Sequence, residues 1–346
     1  MHVLILGQGL AGSMMAWNLH QKGHSFTVVD DGAVDGASRV AAGLLSPLYG
    51  KYLSRSWQQE DALPSAFHAY RKIESFLGIH CCYAMPIHRL LTGDRAWQVY
   101  HKKASKPDFA QYIDGRPYRL HAKHGVAANA EGIDIVGGGF VDAARLIQAM
   151  RDWLREHGAL IEDRIAPEEV TQQNGNIIWN GMAFDALVLA GGWQLRDWPG
   201  MARIPLKPVQ GVLVEASIPK LHVDFILKEK HYLLPLGGHR YLLGATYKPN
   251  ETNTQQTEAA ASVLQQFAEW MAGSRVEVLS VRAGVRPATQ DHLPLLGPIP
   301  GNPQVMVISG FGSRGILYAP YCAELLTDYL VHKKDLPEST SLNRFG

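Results

Sequence analysis

The stretch His2-Val-Leu-Ile-Leu-Gly7-Gln-Gly9-Leu-Ala-Gly12 decides the fold of this chain. Residues 2–6 are largely apolar, which is typical of a parallel strand buried on both faces. Gly7 allows a tight turn, Gly9 lets the backbone approach a phosphate, and Gly12 lets the next helix pack closely on the sheet. We expect this helix over residues 10–20, with its free N–H groups and partial positive charge directed at that phosphate.

The residues after the glycine turn supply the context that this motif requires. Ser25-Phe-Thr-Val-Val reads as a second strand, and Asp30 follows it, 18 positions after Gly12. A carboxylate at this place accepts hydrogen bonds from the ribose hydroxyls of an adenosine. The glycine spacing alone also fits a plain structural turn, but strand, helix, strand and acid together favour a dinucleotide site. An aspartate in place of an arginine disfavours a ribose 2′-phosphate.

Composition sets limits on the class of protein. The chain has 346 residues, enough for two domains that share an interface. Its 46% hydrophobic and 19% charged residues are typical of a globular protein. The formal net charge of +1 gives no sign of a general polyanion binder, although a neutral total can include a local basic patch.

The sequence contains no pattern for a metal site, a disulfide framework or a membrane span. Cys81, Cys82 and Cys322 form neither a disulfide framework nor a zinc motif, and the histidines lack metal-ligand spacing. No apolar run approaches the roughly 20 residues that cross a bilayer. The N-terminus enters a strand directly, without the features of a signal peptide. We therefore expect a cytoplasmic protein with no membrane span and no metal.

A second segment, Gly36-Ala-Ser38-Arg39-Val-Ala-Ala42-Gly43-Leu-Leu-Ser-Pro47, is rich in small residues. Alone it fits a loop packed against the sheet. Beside a dinucleotide site it predicts a flat ligand lying against the backbone, with Ser38 and Arg39 available for phosphates. A glycine fingerprint, an acid after the second strand and then Ser-Arg-x-Ala-Ala-Gly together resemble the D-amino-acid oxidase superfamily of flavoproteins, which includes glycine oxidase and sarcosine oxidase.

Hydrophobic periodicity predicts the other elements. Residues 184–190 read as another buried strand, and Val170–Trp179 as a hairpin turning at Asn174 and Gly175. Residues 81–119 and 205–246 indicate short strands and loops, mainly antiparallel. Helical spacing marks 57–77, 143–157 (with Asp142 as N-cap), 258–271 and 319–331.

These patterns and the resemblance predict an α/β fold with two domains. The first is a Rossmann-like FAD-binding domain formed by residues 1–80, 137–204 and 284–346. The second is a mainly antiparallel β-sheet substrate domain of α+β type, formed by residues 81–136 and 205–283.

Two later segments extend the resemblance to the cofactor site. In the superfamily an Ala-x-Gly-x-Trp segment closes over the pyrophosphate side of the flavin, and Ala190, Gly192 and Trp193 fit it. Without the resemblance, these residues read as the end of a strand with a glycine turn. Gly310-Phe-Gly312-Ser313-Arg314-Gly315-Ile316 opens the last helix and aims free amides at the electron-rich edge of the flavin ring. The predicted cofactor-binding residues are Gly7, Gly9, Leu10, Ala11, Gly12, Asp30, Asp31, Ser38, Arg39, Ala42, Gly43, Leu44, Ala190, Gly192, Trp193, Gly312, Ser313, Arg314, Gly315 and Ile316.

The resemblance also implies residues that hold a substrate carboxylate. Arg286 precedes an Asp-x-x-Pro turn, and Tyr232 begins a Tyr-x-x-Pro motif, as in glycine and D-amino-acid oxidases. A guanidinium pairs with a carboxylate through two parallel hydrogen bonds, and a tyrosine adds a third. Tyr232 could instead be a core tyrosine. Arg314 is a third candidate, although glycine oxidase has its arginine one place earlier, where this chain has Ser313.

The implied activity is that of an FAD-dependent amine or amino-acid oxidase or dehydrogenase, with FAD held non-covalently. Hydride leaves the carbon that bears nitrogen, and the protein mainly positions and shields the substrate. The product would be an imino acid that hydrolyses to a keto acid and ammonia, or to an aldehyde and an amine from an N-substituted glycine. Electrons would pass to oxygen or to a quinone or other carrier.

Two alternatives remain open. Asp291-His-Leu-Pro294 and Gly312-Ser-Arg-Gly315 also resemble the oxidoreductase domain of the bifunctional enzyme that trims a carboxymethylaminomethyl group on tRNA wobble uridine. The near-neutral charge and the absence of a methyltransferase domain favour a small amino-acid-like substrate over tRNA. The second alternative is a flavoprotein that binds without turnover, which the presence of Arg286 and Tyr232 disfavours.

Overall fold

A computed structural model describes residues 1–33, 36–120, 124–126, 131–255 and 257–345. Short 3-10 helices lie at Pro167–Glu169, Gly192–Asp197, Gly312–Arg314, Glu338–Thr340 and Leu342–Phe345. The α-helices are α1 (Leu10–Gln21), α2 (Ala37–Val40), α3 (Gln59–Leu77), α4 (Asp94–Ala104), α5 (Pro107–Ala110), α6 (Ala143–Glu156), α7 (Glu258–Ala272) and α8 (Gly315–His332).

The strands divide between two large sheets and two small ones. They are β1 (His2–Leu6), β2 (Ser25–Val29), β3 (Leu44–Leu45), β4 (Cys82–Ala84), β5 (Ile87–Leu90), β6 (Ile113–Arg119), β7 (Glu131–Ile135), β8 (Gly139–Val141), β9 (Leu160–Ile161), β10 (Thr171–Gln173), β11 (Asn176–Trp179), β12 (Met182–Phe184), β13 (Ala186–Leu189), β14 (Lys207–Ser217), β15 (Ile226–Lys228), β16 (Tyr232–Gly237), β17 (Arg240–Gly244), β18 (Lys248–Pro249), β19 (Glu277–Ala288), β20 (Leu295–Ile299) and β21 (Asn302–Ser309).

The first large sheet has six strands in the order β20-β21-β13-β1-β2-β9. All neighbouring strands are parallel except β20 and β21. Val3 and Ile5 pack with α1, α3, α6 and α8 on one face. Leu4 packs on the other face with residues of the small sheet β10-β11-β12. Because β1 is covered on both sides, it needs no alternation of polar residues, which explains its apolar sequence.

The second large sheet has nine strands and carries β14 and β19 as its longest pair. Its other neighbours follow the order β14-β17-β16-β15-β5-β7-β6, with β18 also paired to β14. All pairs are antiparallel except β5 with β15. Helix α7 packs against Val214 and Leu243 on one face, and Leu213 and Tyr232 lie in the core of the other. The predicted fold class is confirmed.

Most predicted helices form close to their expected bounds. The Asp142 carboxylate caps α6 by accepting a 3.0 Å hydrogen bond from the Arg145 amide, as predicted. Within residues 81–119, however, the prediction of strands and loops alone was wrong, because α4 is helical. Tyr100 of α4 is buried, and Ala96, Trp97 and Ala104 pack against the same core, so the helix carries a short apolar stripe that the sequence analysis missed.

Main-chain pairing crosses the predicted domain boundaries. Strand β19 pairs with β14 along its whole length, so the proposed division between residues 283 and 284 falls inside a strand. Two bridges join β19 to the first sheet's loops, Gly36 with Val285 and Ala288 with Phe311. The end of β19 is therefore fixed between the two large sheets, and Arg286 lies there.

The described helices include none that is both long and apolar enough to cross a bilayer. Within the same residues, no three or more His, Cys, Asp or Glu side chains come together as a metal site.

Candidate functional site

One cavity of about 890 Å³ lies between the two large sheets and collects most of the predicted site residues. Tyr232 and Arg286 line it from the second sheet, while Gly12 and Arg314 do not line it. The other predicted cofactor residues all line it: Gly7, Gly9, Leu10, Ala11, Asp30, Asp31, Ser38, Arg39, Ala42, Gly43, Leu44, Ala190, Gly192, Trp193, Gly312, Ser313, Gly315 and Ile316.

The glycine turn places the start of α1 at the cavity wall. A Cβ on Gly12 would lie 1.8 Å from the Gly7 carbonyl oxygen, so only glycine lets α1 pack this closely on the turn. Gly9 precedes the helix without a side-chain cap. The Ser38 hydroxyl accepts a 2.9 Å hydrogen bond from the Leu10 amide. Ser38 therefore fixes the first turn of α1 and can donate its own proton into the cavity.

Asp30 is anchored to the glycine turn by its carboxylate. Its Oδ2 accepts a 2.8 Å hydrogen bond from the Gln8 amide, and Oδ1 accepts one of 2.7 Å from Arg151 Nη1 and one of 2.9 Å from the Gly32 amide. Each carboxylate oxygen has two acceptor positions. Oδ2 thus keeps one position for a ribose hydroxyl.

Sequence reasoning missed Arg151, although its signal was present. The residue is 4% exposed on α6, between Met150 and Trp153, in a stripe that is otherwise apolar. A guanidinium in such a stripe requires an acidic partner nearby. Here the partners are Asp30 and Glu162, at 2.7 and 2.9 Å.

Arg286 presents its guanidinium to the cavity from β19. Nη1 donates a 3.3 Å hydrogen bond to the Thr246 carbonyl, and the guanidinium lies directly over Gly211 of β14. Burial lowers the pKa of Arg286, and the hydroxyls of Tyr232 and Tyr247 act in the opposite direction. An Arg side chain stays charged in spite of such a shift, so Arg286 is a half-buried cation.

Tyr232 lines the cavity from β16, with its ring in the core of the second sheet. Burial raises its pKa, which the positive charges of Arg286 and Arg282 only partly oppose. The hydroxyl is therefore neutral at physiological pH and serves as a hydrogen-bond donor.

Arg314 points elsewhere. Its guanidinium lies 5.1 Å from the centre of the Tyr49 ring, and Nη1 donates to the Tyr318 hydroxyl at 3.4 Å. Tyr49 lines the cavity, so Arg314 supports a wall residue from behind. Sequence reasoning did not predict Tyr49, since no motif marks it.

The family described as DAO, FAD dependent oxidoreductase, matches residues 2–329. The chain belongs to this family. The resemblance to it that the motifs indicated is confirmed, and the protein is an FAD-dependent oxidoreductase.

Two curated relatives with different activities are similar to this chain. Glycine oxidase of Geobacillus kaustophilus is 26% identical over 360 residues, covering 96% of this chain and 93% of the relative. Its crystal structure superposes with a TM-score of 0.83 at 22% identity, covering 99% and 98% of the two chains. The tRNA 5-methylaminomethyl-2-thiouridine biosynthesis bifunctional protein MnmC of Aeromonas hydrophila is 27% identical over 380 residues. That match covers 94% of this chain, which spans about half of the relative, 55%.

The residues present fit the family's FAD. The amides at the start of α1 suit a pyrophosphate, and the Asp30 carboxylate suits the adenosine ribose. The small residues Ala42 and Gly312 leave space at the cavity wall for a flat ring. A volume of about 890 Å³ lies within the usual range for cofactor and ligand sites.

Sequence reasoning also missed two lysines of the cavity wall, Lys228 and Lys230. Lys228 is the last residue of β15, and Lys230 lies in the turn that leads to β16. Only the pairing of these two strands brings the lysines to the cavity. Neither residue belongs to a recognised motif.

Proposed function

We propose that the protein oxidises the C–N bond of an amino acid or an N-substituted glycine. The observation that carries this proposal is the placement of Arg286 and Tyr232 in the same cavity as the dinucleotide turn. Bound FAD would supply the hydride acceptor, which no side chain provides. This chain's residues then have to hold the substrate carboxylate and exclude water from the reacting carbon.

Arg286 is suited to the carboxylate because it is half-buried, charged and has only one hydrogen-bond acceptor in the described residues, the Thr246 carbonyl. Its remaining N–H groups match the two oxygens of a carboxylate. The neutral Tyr232 hydroxyl adds a donor at the same end of the cavity. With the carboxylate held, loss of hydride from the neighbouring carbon leaves an iminium that water hydrolyses to a carbonyl compound and an amine or ammonia.

The relatives support amine oxidation in general but not one substrate. Glycine oxidase matches nearly the whole of both chains, whereas MnmC matches over about half of its length. The electron acceptor is oxygen or a quinone or other carrier, and the experiment described next distinguishes between them. We also propose that the protein is cytoplasmic.

The test is anaerobic stopped-flow reduction of the bound flavin by a panel of D-amino acids, glycine, sarcosine and L-proline. We expect at least one of them to bleach the flavin absorbance, and reoxidation by air or by a quinone would then identify the acceptor. If none of the panel reduces the flavin, the small-substrate proposal is overturned.

A second candidate is tRNA carrying a carboxymethylaminomethyl group, whose terminal part is itself an N-substituted glycine. The observation in its favour is a basic, aromatic rim beside the cavity residues Tyr49 and Gly50. Lys51 and Arg95 lie 5.0 and 5.4 Å from the centre of the exposed Tyr52 ring. Single-stranded nucleic-acid sites combine basic side chains with exposed aromatic rings, and this cluster offers one such ring with two cations. Flavin reduction by the modified tRNA, with no reduction by the panel, would favour this function.

FAD is held non-covalently in this proposal. All three cysteines are buried, and none lines the cavity. Burial also raises the pKa of the Cys81 and Cys82 thiols, to about 12 and 11, so neither forms a thiolate near neutral pH. Acid precipitation should therefore leave the yellow colour in the supernatant. Flavin that remains in the pellet would show a covalent link.

A further inference from the structure

Lys228 lies at the substrate end of the cavity. It ends β15, where it pairs with Tyr232 of β16 on one side and with Arg89 of β5 on the other. Its ammonium is 5.5 Å from the centre of the Tyr232 ring, and it lines the same cavity as Arg286. Tyr232 therefore lies near two cationic side chains, Lys228 of β15 and Arg286 of β19.

Among the described residues, no carboxylate oxygen lies within 4.0 Å of the Lys228 ammonium, although the charge of Glu229 acts on it from farther away. Its one contact with a named group is the face of the Tyr232 ring. Glu229 follows it in the chain, but that carboxylate accepts hydrogen bonds from the Thr92 hydroxyl, at 2.9 Å, and from the Lys230 amide. A half-buried ammonium without a counter-ion is costly, so its position favours a ligand that brings the missing charge.

The pKa of Lys228 reflects this environment. Burial, together with the nearby positive charge of Arg89, lowers the pKa of Lys228 to about 8, with Glu229 acting in the opposite direction. The side chain is therefore mostly charged at pH 7, about half charged near pH 8 and mostly neutral by about pH 9. Lys230 is exposed and lies nearer the solvent, so it screens Lys228 little.

The described residues of the second sheet contribute three cations to the cavity, Arg286, Lys228 and Lys230, and no carboxylate. The acids of the lining, Asp30, Asp31, Asp163 and Asp197, all belong to the first sheet's side. A glycine or sarcosine substrate has a single carboxylate, which Arg286 would hold. That leaves the Lys228 charge unmatched beside the substrate.

We infer that Lys228 binds a second carboxylate of the substrate, so that the preferred substrate is a dicarboxylic amine such as an N-carboxymethyl amino acid. This inference rests on the proposed function and names the substrate class within it. A single ammonium suits a carboxylate, whereas a phosphate dianion is more often held by an arginine fork or several backbone amides.

The experiment compares two probes that differ only by this group, sarcosine and iminodiacetate, in stopped-flow reduction of the holoenzyme. We expect iminodiacetate to have the larger second-order rate constant, by about fivefold or more, the size of one charge-assisted contact at a half-buried site. The ratio should fall to near one in Lys228→Met, remain in Lys228→Arg, and remain in Lys220→Gln, an exposed lysine that does not line the cavity. Flavin content and melting temperature show that each variant is folded.

A pH series gives a readout that a purely structural lysine would not change. The charged or titratable groups that act on or face Lys228 are Arg89, Glu229 and His231, and its ammonium lies over the ring of the neutral Tyr232. Because Lys228 loses its charge as pH rises through about 8, the iminodiacetate preference should decline over that range. A preference that is flat from pH 6.5 to 9 contradicts the inference.

The outcomes separate the two proposals. If neither probe nor any other amine of the panel reduces the flavin, the proposed function and this inference fail together. If sarcosine reacts at least as fast as iminodiacetate, or if Lys228→Met keeps the wild-type ratio, this inference alone is overturned and the amine-oxidation proposal stands.

Discussion

Replacing Arg286 by alanine should leave the flavin spectrum intact and lower the second-order rate of flavin reduction by about 30-fold or more. The guanidinium is a half-buried cation at the substrate end of the cavity, and its removal leaves a substrate carboxylate unpaired, at a cost of about 2–5 kcal/mol. Each 1.4 kcal/mol corresponds to a factor of ten in rate. The measurement is anaerobic stopped-flow reduction by the best substrate of the panel.

Arg286→Lys serves as the matched variant, because it keeps the charge but loses the planar fork. We expect it to recover only part of the lost rate. If the alanine variant reduces its flavin at a near-normal rate, no carboxylate is held at this position. The preferred substrate would then be an amine without an acid group.

The cofactor half of the site could be read from the sequence because its signals are local. Gly7, Gly9 and Gly12 lie within six residues of one another, and Asp30 follows one helix later. The geometry of strand, turn and helix then leaves little freedom in where these residues lie. The structure places Gly7, Gly9 and Asp30 in one cavity wall, with Gly12 packed behind them.

The substrate half depends on strand pairing, which is not a local property. Lys228 reaches the cavity because β15 pairs with β16 and with β5. No sequence pattern near Lys228 indicates this pairing. Arg151 reaches Asp30 across 121 positions of the chain. A register shift of one residue would turn Lys228 to the opposite face of the sheet, so its role emerges only with the fold.

The same argument applies to the domain boundary. Sequence motifs assign Arg286 to the FAD-binding segment, because it precedes the Asp-x-x-Pro turn. In the structure its strand belongs by pairing to the second sheet, and the bridges at Val285 and Ala288 connect that strand to the first sheet's loops. Arg286 can therefore face a substrate while staying close to the cofactor turn.

Substituting Gly211 of β14 should lower the rate of flavin reduction by nearly as much as removing Arg286. In the β14–β19 register Gly211 lies opposite Gly284, and Arg286 extends across the strand to cover it. A Cβ at Gly211 would be 2.0 Å from Arg286 Nη2 and 2.3 Å from Cζ, so the guanidinium has to move. The atoms that clash are the far end of a flexible side chain, so the fold should tolerate the change.

We therefore expect Gly211→Ala to keep its FAD and its melting temperature but to lower the rate of flavin reduction by about 30-fold, the lower bound for a broken carboxylate pair. The decisive control is the double variant. In Arg286→Ala the guanidinium is gone and the alanine at 211 has room, so adding Gly211→Ala should cost almost nothing further. Residues that act as one unit show such non-additivity in a double-mutant cycle. Equal losses from Gly211→Ala in both backgrounds would mean that the methyl group obstructs the cavity directly, and that Gly211 does not position Arg286.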